Sequence, residues 1–257
     1  MKKLLSGFII IMILGLLVSA CNKDNNSTNP PVQNYTGYFP DGDGTTYTYS
    51  IAKTDSNGTQ TTGTRNTEYS GTEVKNGTTY QVQIDSLNIS GLSSVSLSYF
   101  RKTNDSLYYF LDTTGLSSSI PDSLQNNISL DKEMKILSFP VNENKTWSVF
   151  QLSIKYSIFN LNVLTVNGAY DGTENITLNL NSGNTNKDAV RLKYTLSIMV
   201  PGGPTTEYNA FAWLVDGIGI VKWQGNAAIL DAFAGGGIDL SDTTSVITQN
   251  LTSYNIK

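Results

Sequence analysis

Carboxylates are the groups in this chain best suited to acid–base catalysis, because its 257 residues include no histidine. The lack of histidine excludes serine–histidine triads and nearly all zinc catalysis. Two carboxylates about 5–10 Å apart would suit glycoside hydrolysis, but the sequence pattern brings no two acids together, and acids beside Gly, Asn or Ser are typical of turns. We therefore predict no catalytic residue, no cofactor and no enzyme activity. The acids considered are Asp85, Asp105, Asp112, Glu133, Asp171, Glu174, Glu207, Asp216 and Asp231.

A second group of acids looks like part of a calcium loop. Residues 41–45 read DGDGT. Calcium needs six to eight oxygen ligands, and an EF-hand type of loop has a bidentate acid at position twelve. Counted from Asp41, that position is Ala52. The segment therefore predicts a turn before a strand, and we predict no metal site.

The single cysteine, Cys21, follows a segment that is typical of export. Two lysines precede an apolar run at 8–18, and these are the parts of a secretory signal peptide. The run is shorter than the roughly 20 apolar residues of a spanning helix, although an uncleaved membrane anchor is the alternative. The sequence VSAC at 18–21 resembles the bacterial lipobox, in which cleavage falls between Ala20 and the cysteine and the thiol receives a diacylglycerol. We predict a signal peptide at 1–20 and lipid attachment, palmitate included, at Cys21.

Residues 21–34 predict a flexible tether, since they contain almost no apolar side chain to bury. A tether of this length spans at most about 45 Å. Asn22, directly after the cysteine, resembles the sorting pattern of lipoproteins sent to the outer membrane. We therefore expect the bacterial cell envelope, at the outer membrane, on its periplasmic side or at the surface. Loss of the two lysines at 1–20 lowers the formal net charge from -4 to -6, which argues against nucleic acid as a partner.

From Tyr35 onward, apolar residues recur at every second position, which indicates β-strands with one face on a core. The clearest row is Val190, Leu192, Tyr194, Leu196, Ile198 and Val200, and a Pro-Gly turn then leads to a partner strand at 205–215. The same pattern recurs at 80–85 and 95–99. Further turns are predicted at Asn57-Gly58, Asn76-Gly77 and Asp171-Gly172.

About a dozen strands at this spacing predict an all-β sandwich or barrel. Only residues 115–127 break the alternation, and Pro121 is placed to open one short helix there. Nothing inside 35–257 reads as a linker. We therefore treat that span as a single all-β domain.

Three sets of segments resemble a group of bacterial lipoproteins of unknown function. They are YFP at 38–40 with Gly44 and YTY at 47–49, YDGTENIT at 170–177 with AVRL at 189–192, and the closing hairpin at 213–222. Tyr47 stands where tryptophan is usual. The resemblance implies a fold similar to the Lol lipoprotein carriers, an antiparallel curved sheet or incomplete barrel whose concave side holds acyl chains. A β-sandwich is the alternative fold.

Two functions follow as hypotheses. The first is a non-enzymatic envelope lipoprotein that contacts the membrane through its lipid and either binds an apolar ligand in a concavity of several hundred Å³ or supports envelope assembly. The alternative is a carbohydrate-binding surface lipoprotein that stacks solvent-facing rings on a glycan. Candidate ligand-lining residues, or else ordinary core, are Trp147, Tyr156, Trp213 and Trp223. The rings considered for glycan stacking are Tyr99, Tyr108, Tyr109, Tyr194 and Trp223.

Overall fold

Antiparallel strands make up most of the computed structural model of the chain. It describes residues 35–111, 127–141, 145–156, 159–199, 203–233 and 242–257. The strands are β1 (Thr46–Thr54), β2 (Gln60–Lys75), β3 (Thr78–Ile89), β4 (Leu92–Lys102), β5 (Ser106–Phe110), β6 (Ile128–Leu130), β7 (Glu133–Ser138), β8 (Thr146–Tyr156), β9 (Phe159–Leu180), β10 (Gly183–Met199), β11 (Thr205–Val215), β12 (Gly219–Asn226) and β13 (Val246–Asn255). A 3₁₀ turn at Tyr35–Tyr38 precedes β1, and a short helix, α1 (Ala227–Asp231), follows β12. The prediction of an all-β fold is confirmed.

The thirteen strands form one sheet in the order β6-β8-β9-β10-β11-β12-β13-β1-β2-β3-β4-β5-β7. Because β13 pairs with β1, the first and last strands of the domain meet inside the sheet. The sheet is open, with β6 and β7 as its outermost strands. It nevertheless curves so strongly that the indole N–H of Trp147 on β8 donates to the carbonyl of Lys135 on β7 at 2.9 Å. The predicted curved antiparallel sheet is confirmed, and the sandwich alternative is wrong.

Aromatic rings from opposite parts of the sheet fill its concave face. Around the fully buried Tyr194 lie Trp147, Trp223 and Phe233, with ring centroids 6.2, 5.9 and 4.8 Å away. A second group surrounds Phe100 and consists of Phe39, Tyr69 and Tyr109, at 5.3, 4.8 and 5.7 Å. Such pairs add about 0.5–1.5 kcal/mol each beyond the burial of their area. The concave face is therefore a packed core.

Helix α1 closes this core at one end. Its N-cap is Asn226, whose side chain accepts a hydrogen bond from the backbone N–H of Ala228 at 3.0 Å, as N-cap residues do. Its residues Ile229 and Leu230 are buried. The short helix predicted at 115–127 falls almost wholly on residues that the structure does not describe. Among the described helices, none has both the length and the apolar character needed to cross a bilayer.

One predicted turn is wrong. Asn57-Gly58 and Asn76-Gly77 do form turns, with φ of 79° at Gly58 and 80° at Gly77. Asp171-Gly172 instead lies within the continuous strand β9. There the register against β10 shifts between Val190 and Leu192, and Gly172 takes a φ of 112°. The pair is a β-bulge, because a glycine at positive φ absorbs the extra residue without ending the strand.

Beyond this bulge, the ends of β9 and β10 form an arm, residues 173–190, that packs on the convex face of the sheet. The backbone N–H of Asn181 at the arm's tip donates to the carbonyl of Thr252 on β13 at 2.8 Å. Leu178 of the arm is buried and shares a groove with Val221 and Leu251. The arm thus covers apolar residues that would otherwise face water.

The alternation in β3 predicts that its apolar row faces the core. In the structure, this row faces outward, and the prediction is wrong. Gln83 and Asp85 are buried on the concave face, whereas Val82 and Ile84 are half-exposed on the convex face. The physical reason lies on β2, where Arg65 points into the core and needs a buried anion, which Asp85 provides. On β4, Val95 and Leu97 face outward with Ile84 and are exposed.

We expect Gly168→Ala to destabilise the domain by about 1–3 kcal/mol, as overpacking a core does. A Cβ at Gly168 would overlap the indole ring of Trp147, which lies directly against it. The measurement is urea unfolding followed by tryptophan fluorescence, with Asn167→Ala as the control because Asn167 is the exposed preceding residue. Equal unfolding midpoints for the two variants would contradict the packing described here.

Candidate functional site

The predicted lipid attachment at Cys21 and the cleavage after Ala20 lie outside the described residues, and they stay predictions. The described chain starts at the 3₁₀ turn Tyr35–Tyr38, where the carbonyl of Gly37 accepts a hydrogen bond from the backbone N–H of Gly217 at 3.0 Å. The start of the described domain therefore lies beside the β11–β12 turn.

Two of the four candidate ligand-lining residues lie in the core on the concave face. Trp147 and Trp223 are buried on the concave face beside Tyr194. Trp147 on β8 also bonds to Lys135 on β7, at the opposite end of the sheet. The hydroxyl of Tyr194 on β10 likewise reaches β7, by donating to the carbonyl of Ile136 at 2.9 Å. Tyr156 ends β8, and its side chain is outside the described part of the chain.

Trp213 lies on the convex face and not among the concave-face residues where it was expected. It pairs across the sheet with Arg191 and Lys222, and the ammonium of Lys222 lies 4.3 Å from its ring centroid. Its indole N–H donates to Glu174 of the arm. Trp213 is buried because the arm covers it. The arm bends at the bulge in β9, and no pattern in the sequence around Trp213 indicates that the arm covers this residue.

The rings considered for glycan stacking do not form an exposed platform. Tyr109, Tyr194 and Trp223 are buried, which corrects the expectation that they face solvent. Tyr99 and Tyr108 are half-exposed, and each has a cation over its ring: Lys75 at 4.0 Å and Arg101 at 4.2 Å.

A buried ion pair on the concave face is the most concentrated polar chemistry among the described residues. Arg65 donates from Nε and Nη2 to the two carboxylate oxygens of Asp85, at 2.8 and 2.9 Å. Thr67 and Gln83 donate to the same carboxylate, at 2.5 and 2.6 Å. Arg65 is 6% exposed and Asp85 3% exposed. This bidentate geometry is the strong form of an arginine–carboxylate pair.

The ion pair is the centre of a wider network. Arg65 Nη1 donates to Gln249 Oε1 at 3.2 Å, and the Tyr109 hydroxyl donates to Gln83 Oε1 at 2.6 Å. Arg65 and Gln249 lie 184 positions apart in the chain, so no local pattern indicates their contact. The sequence reasoning missed this network for that reason.

Burial and the charge of Asp85 together set the protonation of the network. Burial by itself would lower the pKa of Arg65, but the charge and hydrogen bonds of Asp85 outweigh it and hold that pKa above its ordinary value. Burial also raises the pKa of the Tyr49 and Tyr109 hydroxyls. The guanidinium therefore stays charged and the phenols stay neutral at any physiological pH.

The cavity beside this network has a volume of about 30 Å³. It is lined by Phe39, Tyr47, Tyr49, Arg65, Thr67, Tyr69, Gln83, Tyr109, Gly219, Ile220, Trp223, Leu230, Phe233 and Gln249. That volume has room for a water molecule and not for an acyl chain or a sugar. Asp85 is the single carboxylate of the network and both its oxygens are already bonded, so the arrangement serves structure and not acid–base catalysis.

Other acids are also held by specific partners. Asp41 binds the ammonium of Lys102 at 2.5 Å, and Asp43 accepts from the backbone N–H of Gly71 at 2.7 Å, so the DGDGT segment is a turn held to its neighbours. Asp171 and Glu174 are brought together around Arg191, at 2.7 and 3.7 Å. The described residues contain no group of three or more acidic or cysteine side chains placed to hold a metal ion.

We expect Asp85→Asn to lower the free energy of unfolding by about 3–5 kcal/mol, because it leaves Arg65 as a buried, unpaired charge. Glu73→Gln, which breaks an exposed pair with Lys75, is the control and should leave stability unchanged. Denaturant unfolding measures both. The double variant Arg65→Met/Asp85→Asn should lose less than the sum of the two single variants, and strictly additive losses would count against the coupling.

Solved structures with similar shapes come from bacteria. A Bacteroides fragilis protein assigned as exported, with a YmcC-like fold, is 13% identical with a TM-score of 0.43, and the match covers 85% of this chain and 98% of that chain. A Parabacteroides distasonis protein assigned as a lipoprotein gives the same four values. The hypothetical lipoprotein YmcC of Escherichia coli is 10% identical with a TM-score of 0.32, covering 80% of this chain and 84% of that one.

No protein-family model matches the chain, and no curated protein matches it. At these identities and TM-scores, the likeness to the solved structures says nothing about what this chain binds or does. Its fold is established by its own strand pairing. The chain is similar to solved structures of bacterial proteins assigned as exported or as lipoproteins.

Proposed function

We propose that this chain is a non-enzymatic lipoprotein of the bacterial cell envelope, anchored by acyl chains on Cys21. The observation that carries the proposal is the position of the single cysteine, directly after VSA at 18–20 and the apolar run at 8–18. Burial of acyl chains in a bilayer contributes about 0.8 kcal/mol per methylene, and two or more chains anchor a protein stably. The tether at 21–34 would then hold the sheet domain near the membrane surface without inserting it.

The filled concave face favours the assembly role over the carrier role. Phe233 and Leu230 occupy the space beside the ion pair, and the cavity they leave is about 30 Å³. An apolar ligand of several carbons would have to displace these side chains from the core. We therefore propose that the domain acts through its outer surface, as a structural or docking component of the envelope.

The outer membrane is the location that we propose within the envelope. Asn22, and not an acid, follows Cys21, and this favours release from the inner membrane. The mature chain would carry a formal net charge of -6, so its surface would be repelled by anionic headgroups. Contact with the membrane would then depend on the lipid alone.

We expect Cys21→Ser to move the protein from the membrane fraction to the soluble fraction or to leave it as an uncleaved precursor. The measurements are intact mass and fractionation of protein from the expressing cells. The parent should carry a diacylglycerol-sized mass addition and lack residues 1–20. A parent with the plain polypeptide mass, or a variant that stays on the membrane after cleavage, would contradict the anchor.

Ser19→Thr is a matched control, since it keeps the thiol and changes only a neighbouring small residue. It should be lipidated and should fractionate as the parent does. Loss of the anchor in Cys21→Ser alone then assigns the attachment to the thiol of residue 21.

A further inference from the structure

Within the described part of the chain, one edge of strand β4 has no neighbour along most of its length. Its other edge pairs with β3 from Leu92 to Phe100. Among the described strands, only β5 pairs with the edge in question, and it does so only at 100–102. Residues 92–99 therefore present a row of backbone N–H and C=O groups, which we call the β4 edge.

The β4 edge lacks the features by which proteins protect exposed strands. Such strands are usually blunted by lysines, prolines, bulges or charges that point inward. Residues 92–99 read LSSVSLSY, which contains no charge, no proline and no glycine. The ladder with β3 runs through this stretch without a register shift. The edge is therefore flat, regular and uncharged, which makes it a template for another strand.

Apolar side chains beside the edge are exposed to an unusual degree. Val95 is 69% exposed and Leu97 is 51% exposed on the convex face, where Ile84 and Tyr99 adjoin them. Leu92, at the start of the edge, is 79% exposed. Contiguous exposed apolar residues on a soluble surface mark interaction sites. An added strand would supply backbone partners and cover Val95 and Leu97 together.

We propose that the β4 edge pairs with the β4 edge of a second copy of this chain, antiparallel and about a two-fold axis at Ser96. Around this axis Val95 lies opposite Leu97 of the other copy, so apolar side chains meet on one face. Serines 94 and 98 meet on the other face, and the uncharged edge brings no like charges together. A closed two-fold interface of this kind is self-complementary, and the sheets of both copies become continuous.

The length of the free edge selects this register. Pairing about Ser96 keeps residues 93–99 of each copy in the ladder. An axis at Val95 would set Leu97 opposite Ser93, and an axis at Leu97 would shorten the ladder to 95–99. Residue 100 already pairs with β5, so the ladder ends there. A strand from a different protein would need two apolar residues placed to meet Val95 and Leu97, whereas a second copy of this chain provides Leu97 and Val95 themselves.

Cross-linking of the intact chain tests the register. In an antiparallel pair, directly opposite Cα atoms lie about 4.5–5.5 Å apart, within the range of a disulfide. The full-length chain with Ser96→Cys, oxidised in the membranes of expressing cells, should give a covalent dimer on a non-reducing gel. Thr64→Cys is the control, because Thr64 is exposed on a strand that is paired on both edges.

The parent chain separates this proposal from the lipid anchor. An acylated Cys21 cannot cross-link, so a dimer band in the parent would contradict the anchor and leave the β4 proposal intact. Absence of a band in Ser96→Cys, a band of equal strength in Thr64→Cys, or a cross-link to a different protein would overturn the pairing of two copies.

Sedimentation of the purified lipoprotein in detergent provides the second test. The parent should have twice the polypeptide mass of one chain. The Leu97→Lys variant should have the mass of one chain, because it places a charged lysine opposite Val95 of the other copy. Val246→Lys is the control, since Val246 is 45% exposed on a strand paired on both edges. Both side chains are exposed, so circular dichroism should be unchanged. A monomeric parent, or a Leu97→Lys variant that stays dimeric, would overturn the proposal.

Discussion

A sheet that curves until its two ends touch encloses a volume that its own side chains have to fill, because protein interiors tolerate few voids. Here Tyr194 and Phe100 are each surrounded by further rings, and α1 closes the space between strands. Burying a charged group in such packing costs free energy unless the group is paired and hydrogen-bonded. The ion pair of Arg65 with Asp85 meets that condition, since Thr67 and Gln83 complete the carboxylate's bonds.

Because side chains fill the concave face, we propose that the domain acts through the rest of its surface. Among the described residues, the cavity that adjoins the buried ion pair has a volume of only about 30 Å³, and the convex face carries the remaining features. The arm at 173–190 covers one part of that face, with Trp213 beneath it. The β4 edge, with Val95 and Leu97, leaves another part uncovered. We propose that such a domain, anchored through Cys21, meets partners through its outer surface.

The sequence was sufficient to predict most strands, because period-two alternation is a local property. It did not determine which face each row would take on β3, since that depends on Arg65 of the neighbouring strand needing Asp85. The bulge at Asp171-Gly172 looks like a turn in the sequence, because glycine at positive φ serves both. The contact of Arg65 with Gln249 joins residues 184 positions apart, and no short pattern encodes such a contact. Only at Cys21 did a short motif indicate a site directly, and lipid attachment there stays a prediction.

Native mass spectrometry of the protein released from membranes tests the central claim that the core is packed and the only lipid is covalent. We expect one species, whose mass equals, for each chain present, the polypeptide from residue 21 onward plus its covalent acyl groups. Gentle activation should release nothing further. A non-covalent fatty acid or phospholipid that remains bound, and that is lost on activation, would show that the concave face opens to hold a ligand and would contradict the account.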